Sequence, residues 1–359
     1  MTMTLRHSTF ALLLLAFVWV GCDSGGSGMQ DDQVTLEDID VDAILQNEAN
    51  NVILATYVDL ETEAAALDQA VITFVQDQTD ANLQAAQDAW IATRAPWESS
   101  ESFLFGPVAQ DDLDPALDSW PVDENSISAI LAGSEPITVD RVRNFGTNSK
   151  GFHTIEFLLF GPNGTKAADE FTARDIEYLT AVTTVLAEDT QALATAWRPS
   201  GDGFASDFAA AATPDGQSPK AALETLAEFI EVIADEVGTG KIGTPLEEGT
   251  IARIESKYSE NSFTDFTNNM ESIRHIYTGD YKGNTGPGVD EAVRAVNPDL
   301  DAQLKSEIDA AISQLQGIEL SFRKSVEQNQ LAEVQAAQDA VLTIRETIQS
   351  QIRPLLSDL

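Results

Sequence analysis

The sequence of 359 residues is 43% hydrophobic, enough for two globular domains with cores of their own. It carries 59 acidic and 20 basic residues, a net charge of −39. Because phosphate binding needs clustered lysine and arginine, this balance excludes nucleic acid as a general partner. The acidic residues are spread along the chain, which indicates a solvated acidic surface, as in a salt-loving source, or else a surface that attracts cations.

The N-terminus has the pattern of a secretory signal peptide over residues 1–21. Arg6 precedes an apolar run over 10–20 that is too short to cross a bilayer. Cys22, the single cysteine, follows directly, where a bacterial lipobox would be cleaved and lipidated; the alternative is a buried or incidental cysteine. The Gly/Ser-rich acidic stretch after it predicts a flexible tether over 22–40. We therefore expect a periplasmic or cell-envelope lipoprotein, anchored to a membrane through Cys22.

The body of the chain is predicted to be all-α. Apolar residues recur at three- and four-residue spacing, alanine is abundant, and strand-like alternation is nearly absent. Thr79 and Ser218, the latter followed by proline, have the character of helix N-caps. Long helices are predicted at 41–77, 80–105, 169–198, 217–237, 262–278, 299–328 and 331–352.

One internal repeat is visible. "LQAAQDAWIATR" at 83–94 aligns without gaps to "VQAAQDAVLTIR" at 334–345, with six consecutive identities and a shared final arginine. Each copy follows a long helix and a polar turn, as the second arm of a helical hairpin does. The repeat predicts two helical-bundle domains related by an internal duplication, over 41–200 and 201–359, with their boundary in the Pro/Gly-rich segment 199–216.

The segment "GFHTIEFLLFG" at 151–161 places two polar groups in an apolar helix. His153 and Glu156 project within about 60° of each other, and apolar residues cover the other faces. Both groups are therefore expected to be buried, where each needs a partner. One interpretation is a core histidine that is hydrogen-bonded to its own glutamate or to backbone. The other is a ligand or metal site that uses both residues, although a catalytic zinc normally needs three protein ligands.

His275 is the other histidine outside the signal peptide. Glu271 lies one helical turn before it, so this pair could face the first pair across a bundle. The alternative, which we favour, is an ordinary surface histidine near a helix end.

The motif Gly-x-His-x-x-Glu with its trailing "LLFG" resembles the imelysin family of bacterial extracytoplasmic proteins, also called insulin-cleaving metallopeptidases. Three further segments are similar to the same family in the expected order: "PWESSESFLFGP" at 96–107, "LDSWPVD" at 117–123 and "ESKYSENSFTDFTNNMESI" at 255–273. The resemblance implies two helical domains related by duplication, with the motif helix near their interface. It also implies a link to iron-responsive uptake in the periplasm or at the outer membrane.

Carried onto this sequence, the resemblance implies a set of ligand-binding positions. They are Gly151, His153, Glu156, Glu98, Glu101, Asp118, Ser119, Trp120, Glu255, Ser256 and Ser259, with Trp97 beside them. Each flanking residue also has a structural interpretation: the tryptophans as packing, the aspartate and serines as turn or helix caps, and the glutamates as a solvated face. Arg94 could pair with one of the glutamates, but its copy at Arg345 favours a structural role.

Three functions remain open. The first is a lipid-tethered protein that binds a metal ion, iron or zinc, or a small ligand between its domains and serves an iron-uptake membrane partner. The second is a zinc-dependent metallopeptidase with His153 and Glu156 as metal ligands and a third ligand from His275, Asp118 or Glu255. The third is an adaptor that docks a partner protein. We favour binding over hydrolysis, because no spacing identifies the catalytic roles.

Overall fold

The computed structural model describes residues 34–200, 203–213 and 217–359. These residues form α-helices and short 3-10 and π-helical turns, with no β-strand among them, which confirms the predicted all-α fold. No helix within the described ranges is long and apolar enough to span a bilayer. The predicted signal peptide, Cys22 and the tether up to residue 33 lie outside the described residues.

A few long helices are connected by short ones. In the first half they are α1 (Val41–Asn47), α2 (Leu54–Gln76), α3 (Asp80–Glu98), α4 (Pro107–Gln110), α5 (Leu113–Asp118), α6 (Glu124–Ala132), α7 (Val139–Arg143), α8 (Gly151–Phe160) and α9 (Ala173–Trp197). In the second half they are α10 (Phe204–Ala209), α11 (Pro219–Asp235), α12 (Thr244–Glu248), α13 (Ser262–Thr278), α14 (Val289–Val296), α15 (Pro298–Gln316), α16 (Phe322–Glu327), α17 (Ala332–Thr347) and α18 (Arg353–Asp358).

Two predicted helix starts are confirmed by their caps. The Thr79 side chain accepts a hydrogen bond from the Asn82 backbone N–H, and the Ser218 side chain accepts one from the Ala221 backbone N–H. Each cap satisfies a backbone donor that a helix start leaves free. Proline then occupies the first position of α11, where it gives up no helical hydrogen bond.

Three helices continue through a π-helical turn, which widens the helix by one residue per turn. These turns are Glu48–Ile53 after α1, Glu236–Gly243 after α11 and Ile348–Ile352 after α17. The predicted helix 299–328 is interrupted instead. It ends at Gln316 beside Gly317, and Ser321 caps a new helix, α16, by accepting from the Lys324 backbone N–H.

The helix predicted over 80–105 was too long. It ends at Glu98, and the chain then turns through Ser99 and Ser100 into the 3-10 turn Glu101–Phe103. Pro96 lies in the last turn of α3, where its missing N–H removes a helical hydrogen bond. The turn places Glu98 and Glu101 in the interior, where both are buried.

The long helices pack in two groups that α3 and α13 connect. α2 packs on α3 and α9, with α8 against both α3 and α9. In the second half α11, α13, α15 and α17 pack on one another, and α13 also contacts α3. Residues Val34–Leu359 form one compact unit. Both copies of the repeat are helical, in α3 and α17, and each packs on the long helix before it, whereas the duplication itself stays a prediction.

The segment predicted as a domain boundary contains α10 rather than extended chain alone. The Phe204 ring lies 4.9 Å from the Trp197 ring, and the Phe208 ring lies 5.0 Å from the Phe105 ring, measured between centroids. Both phenylalanines are buried. One face of α10 is therefore packed into the core, while its other face is exposed.

Gly151 fixes how α8 enters the fold. Its φ is +74°, a conformation that residues with a Cβ atom rarely adopt. A Cβ atom there would lie 2.2 Å from the Leu117 carbonyl oxygen. Because the start of α8 lies directly against the end of α5, the first turn of α8 brings His153 beside Asp118.

Candidate functional site

His153 is fully buried between carboxylates on both sides of its ring. Its Nδ1 lies 3.0 Å from Glu156 Oε2 on the next turn of α8. Its Nε2 faces Asp118 Oδ1 at 3.1 Å and Glu255 Oε1 at 3.5 Å but makes no hydrogen bond to either. The predicted burial of His153 and Glu156 is confirmed. The ring thus has one nitrogen held in place and the other directed at two carboxylates.

Glu156 connects α8 to the loop over 254–261. Its Oε1 accepts hydrogen bonds from the Tyr258 N–H at 2.9 Å, the Ser259 N–H at 2.8 Å and the Ser259 hydroxyl at 2.8 Å. Ser256 and Glu260 in this loop have positive φ, so the loop is tightly bent around the carboxylate. With Oε2 on the imidazole, both oxygens of Glu156 are engaged.

Arg94 lies at the centre of the site and is fully buried. Its guanidinium pairs with Asp118 Oδ1 at 2.5 Å, with Glu255 Oε1 at 3.2 Å and with Asp265 Oδ2 at 3.3 Å, and it also pairs with Glu98 one turn along α3. A planar guanidinium carries five donors and can join several carboxylates in this way. Arg94 therefore holds together carboxylates from four separate segments of the chain.

Lys241 contacts the same cluster from the π-helical turn after α11. Its Nζ lies 2.8 Å from Glu101 Oε2, 3.1 Å from Glu255 Oε2 and 3.4 Å from Glu98 Oε2. Asn269 on α13 donates to Glu98 Oε2 at 2.6 Å and to Glu101 Oε2 at 2.9 Å. Lys241 balances negative charge on the two glutamates that the turn after α3 carries inward, and the Asn269 amide helps to fix their positions.

Two further carboxylates complete the cluster. Asp265 on α13 accepts from the Ser256 hydroxyl at 2.5 Å and from the Asn261 amide at 2.7 Å. Asp118 accepts from the Trp97 indole N–H at 2.6 Å through its Oδ2. Each of these two carboxylates is thus held in place by a hydrogen-bond donor from a neighbouring side chain.

The pKa values in the cluster are shifted in opposite directions. Burial raises the pKa of Glu101 well above its usual range and that of Asp265 to about 6. Burial also opposes the ionisation of Asp118 and Glu255, but the attraction of neighbouring positive charges outweighs it. Arg94 and His153 hold the Asp118 pKa well below its usual range, and Lys241, His153 and Arg94 lower the Glu255 pKa to about 2.

The same carboxylates shift the pKa of His153. Burial alone would lower its pKa, but Asp118, Glu156 and Glu255 raise the pKa well above 6.5. The raised pKa favours the doubly protonated, positively charged form of the ring. Asp118 and Glu255, which face Nε2, balance this positive charge.

A cavity of about 400 Å³ opens beside the cluster. Asp118, Glu101, Glu255 and Lys241 form part of its wall, so four groups of the cluster can be reached from it. Trp120 lies at the same wall, with its ring 4.7 Å from the His153 ring between centroids, edge to face. The site is therefore buried on the protein side and accessible on one side.

Two groups of side chains within the described ranges each place three possible ligand atoms within 4.8 Å of one another, and we call them the metal-capable groups. The first is Asp118, His153 and Glu255, and the second is Glu98, Glu101 and Asp118. Asp118 belongs to both. Nitrogen and oxygen donors in the first group suit a borderline cation, and the all-oxygen second group suits a hard one.

Comparison with known proteins decides the family. The imelysin family model matches residues 53–351. The chain belongs to the imelysin family. It is 30% identical over 319 residues to the Iron-regulated protein A of Synechococcus elongatus, a match that covers 87% of this chain and 86% of the relative.

Two crystal structures have the same fold. A candidate iron-regulated protein A precursor from Parabacteroides distasonis matches with a TM-score of 0.81 and 27% identity, over 91% of this chain and 97% of that one. An imelysin-like protein from Psychrobacter arcticum matches with a TM-score of 0.71 over 88% of this chain and 95% of that one. The latter is 16% identical, so it shows the fold alone.

The structure brings together most of the residues that the imelysin resemblance singled out. Asp118, His153 and Glu255 meet at the metal-capable side, and Glu98 and Glu101 adjoin them. Other predicted residues hold these groups in place. Ser259 donates to Glu156, which contacts the His153 ring, Ser256 donates to Asp265, and Trp97 donates to Asp118. Trp120 lines the cavity, and Gly151 begins α8.

Two predicted residues lie apart from the carboxylates. Ser119 lines the cavity, but its hydroxyl donates to the Pro115 carbonyl at 2.7 Å, as in the turn-cap interpretation. His275 lies near the end of α13, as expected, but it is half-buried rather than an ordinary surface residue, with its ring 5.1 Å from the Tyr281 ring between centroids. It belongs to neither metal-capable group.

Three residues of the site were missed: Lys241, Asp265 and Asn269 were not singled out. Arg94 was considered both as a partner of a glutamate and as a structural residue, and it pairs with Glu98 and Glu255. Arg345 is part-exposed and pairs with Asp235, so the copy does not share the environment of Arg94. Asp265 and Asn269 had a usable signal: with Ser262 and Ser272 they form a polar stripe at helical spacing on α13, and all four are buried.

Proposed function

We propose that this imelysin-family protein binds a metal ion through Asp118, His153 and Glu255, with iron as the first candidate. The observation that carries the proposal is the Nε2 atom of His153. It is fully buried, makes no hydrogen bond within the described part of the chain, and faces Asp118 Oδ1 at 3.1 Å and Glu255 Oε1 at 3.5 Å. An unsatisfied nitrogen in a polar, buried position needs a partner, and a cation shared with two carboxylates provides one.

The other side of the ring supports the same proposal. Metal-binding histidines usually give their second ring nitrogen to a carboxylate, which fixes the orientation of the ring and raises its basicity. Glu156 has this position, and three donors from the loop over 254–261 fix it in turn. The geometry therefore favours Glu156 as a positioning residue rather than the metal ligand that the sequence suggested.

The charge of the cluster also favours a bound cation. Six carboxylates (Glu98, Glu101, Asp118, Glu156, Glu255 and Asp265) surround three basic groups (Arg94, Lys241 and His153). An excess of buried negative charge is costly and must be reduced by protons or by a cation. Because a ligating imidazole is neutral, a metal ion would displace the proton from His153 and take over its charge.

Iron is preferred because of the relatives. The Synechococcus elongatus relative is named Iron-regulated protein A, and oxygen and imidazole donors suit iron. We also propose that lipidated Cys22 holds the protein at the cell envelope, where a membrane partner for iron uptake would receive the ion. Zinc or a small ligand in the adjoining cavity remains compatible with the same residues.

A zinc-dependent peptidase is the second candidate, since three ligands beside an open cavity also suit a catalytic metal. Such an enzyme needs a carboxylate that is free to activate water. Within the cluster each carboxylate already has a fixed donor: Arg94, Lys241, Asn269, Trp97 or the loop over 254–261. This arrangement favours binding over hydrolysis.

The test is metal binding by the purified chain, prepared without a histidine tag. We expect about one Fe(II) per chain and a loss of affinity of about 100-fold or more in His153→Gln, because one of three ligands is removed. His275→Gln is the matched control and should bind as the wild type does. Equal iron binding by His153→Gln and the wild type, with both folded by circular dichroism, would overturn the proposal.

The same preparation separates binding from hydrolysis. The chain is loaded with Zn(II) and incubated with a mixture of unstructured peptides, with and without a chelator. We expect no cleavage above the His153→Gln background. Cleavage that the chelator abolishes and that His153→Gln lacks would establish the peptidase instead.

A further inference from the structure

The second metal-capable group already holds a positive charge. Glu98, Glu101 and Asp118 form this group, and the Lys241 Nζ lies 2.8 Å from Glu101 and 3.4 Å from Glu98. Glu255 accepts a hydrogen bond from the same Nζ through Oε1 at 3.3 Å. Its buried Oε2 lies 3.1 Å from Nζ and makes no hydrogen bond among the residues that the structure describes. An ammonium has three N–H donors, and here three carboxylates surround it.

We infer that Lys241 is a tethered cation that fills a second cation position and limits the centre to one metal ion. This inference rests on the proposed function, since the first position is taken to be the metal site of Asp118, His153 and Glu255. Asp118 would be shared between the two positions. Replacing the ammonium by a neutral side chain would then give a centre for two ions.

The position of Lys241 is fixed by the backbone that carries it. The π-helical turn Glu236–Gly243 lies against α17, where a Cβ atom on Gly238 would meet the Leu342 side chain at 2.6 Å. The Gln338 amide donates to the Gly238 carbonyl at 2.9 Å. The Lys241 side chain is 9% exposed, so it has little freedom to leave the cluster.

The oxygen donors predict which ion would replace the ammonium. Glu98, Glu101, Asp118 and Glu255 Oε2 offer carboxylate oxygens alone, the ligands that hard cations such as Mn²⁺ prefer. Without Lys241 the cluster would hold one more unbalanced negative charge, which strengthens its attraction for a cation. The adjoining cavity, of which Lys241 forms part of the wall, gives the ion a path.

The experiment measures Mn²⁺ bound per chain, by elemental analysis and electron paramagnetic resonance, in the wild type and in Lys241→Met. We expect about one ion in the wild type and about two in the variant, with an exchange-coupled signal because Asp118 would bridge the pair. Lys257→Met is the matched control. It removes the same charge near the site, at a lysine that lies over the Trp120 ring and pairs with Glu124. It should bind as the wild type does.

The outcomes separate the two proposals. One ion in both the wild type and Lys241→Met would overturn the inference and leave the proposed function standing. No ion in the wild type would overturn the proposed function, and one ion in Lys241→Met alone would then still support Lys241 as the tethered cation. A Lys241→Met chain that folds only with Mn²⁺ present supports the inference as well. One that stays unfolded at saturating Mn²⁺ counts against it.

Discussion

Glu48 is a buried carboxyl group that no proposed function uses. It is fully buried in the π-helical turn after α1, and neither of its oxygens makes a hydrogen bond to any residue that the structure describes. Burial, with Asp290 and Asp280 nearby, raises the pKa of Glu48 well above 4.5. A buried polar group with no partner reduces stability, so this residue is a weak point of the fold.

The effect of Glu48 on stability should depend on pH. Because the pKa of Glu48 is higher in the folded state than in the unfolded state, the folded protein is most stable when Glu48 is protonated. The free energy of unfolding is therefore higher at low pH and falls as the pH rises through the folded-state pKa. Glu48→Met removes that loss. We expect the variant to exceed the wild type by on the order of 1–3 kcal/mol in urea unfolding at about pH 8, and by less at about pH 5.

An exposed glutamate gives the control for this prediction. Glu333→Met lies in the first turn of α17, where the side chain is exposed, and should show no comparable change with pH. A Glu48→Met variant that is less stable than the wild type at about pH 8 would mean that the carboxylate has a partner that stabilises it.

Single residues also show why the site could be only partly predicted from the sequence. His153 and Glu156 were identifiable because two polar residues stand in an apolar helix, and their burial follows from that pattern. Lys241 had no such signal. It stands in the polar-looking stretch "EVGTGKIG", and its burial depends on glutamates about 140 residues earlier in the chain. Periodicity cannot report a contact of that kind.

At the level of helices, the contact between α5 and α8 sets the geometry of the site. Gly151→Ala should be strongly destabilising, because the added Cβ would lie 2.2 Å from the Leu117 carbonyl oxygen and φ is +74°. Positive φ alone costs about 1–3 kcal/mol for a residue with a Cβ atom, and the backbone clash adds to it. We expect a loss of at least about 2 kcal/mol in urea unfolding, with weakened Fe(II) binding as the His153 ring shifts.

Gly146→Ala is the control in the same loop. A Cβ atom there would have nothing within 4 Å, and φ is −59°. This variant should stay within about 0.5 kcal/mol of the wild type. If both variants were equally stable, the close approach of α8 to α5 would not be what places His153 beside Asp118.

Helix positions were more predictable than helix ends. The range 262–278 was predicted as α13 has it, because the apolar spacing and the glycine that follows the helix, Gly279, agree there. The end of α3 at Glu98 and the break at Gly317 were not predicted. Both depend on what the following residues contact in the folded chain, and local propensity carries little of that information. The π-helical turns were missed for the same reason.

On the scale of the whole molecule, the site needs both predicted domains. Asp118 and His153 fall in 41–200, whereas Glu255 and Lys241 fall in 201–359, and Arg94 joins the two sets. The resemblance implied the order of these segments and a position near the domain interface, but not which side chains of the two ranges meet there. Since the first metal-capable group takes residues from both ranges, neither range alone could supply the proposed three-ligand site.

The acidic composition also acts on the whole molecule. A net charge of −39 over 359 residues makes the folded state repel itself when salt is low. The screening length falls from about 30 Å at 0.01 M salt to about 3 Å at 1 M. We expect the Tm to rise by at least about 2 °C over that range of NaCl, because repulsion in the compact state is screened more than in the expanded chain.

The identity of the cation distinguishes screening from binding. Tetramethylammonium chloride screens as NaCl does but is too large to enter carboxylate clusters. If the two salts raise the Tm equally, the charge acts through the general field of the surface. If NaCl raises the Tm much more than tetramethylammonium chloride does, sodium binds at particular carboxylates. The acidic surface would then attract cations, which is the second interpretation of the composition given above. A Tm that stays constant or falls in both salts would show that surface repulsion does not limit the stability of this fold.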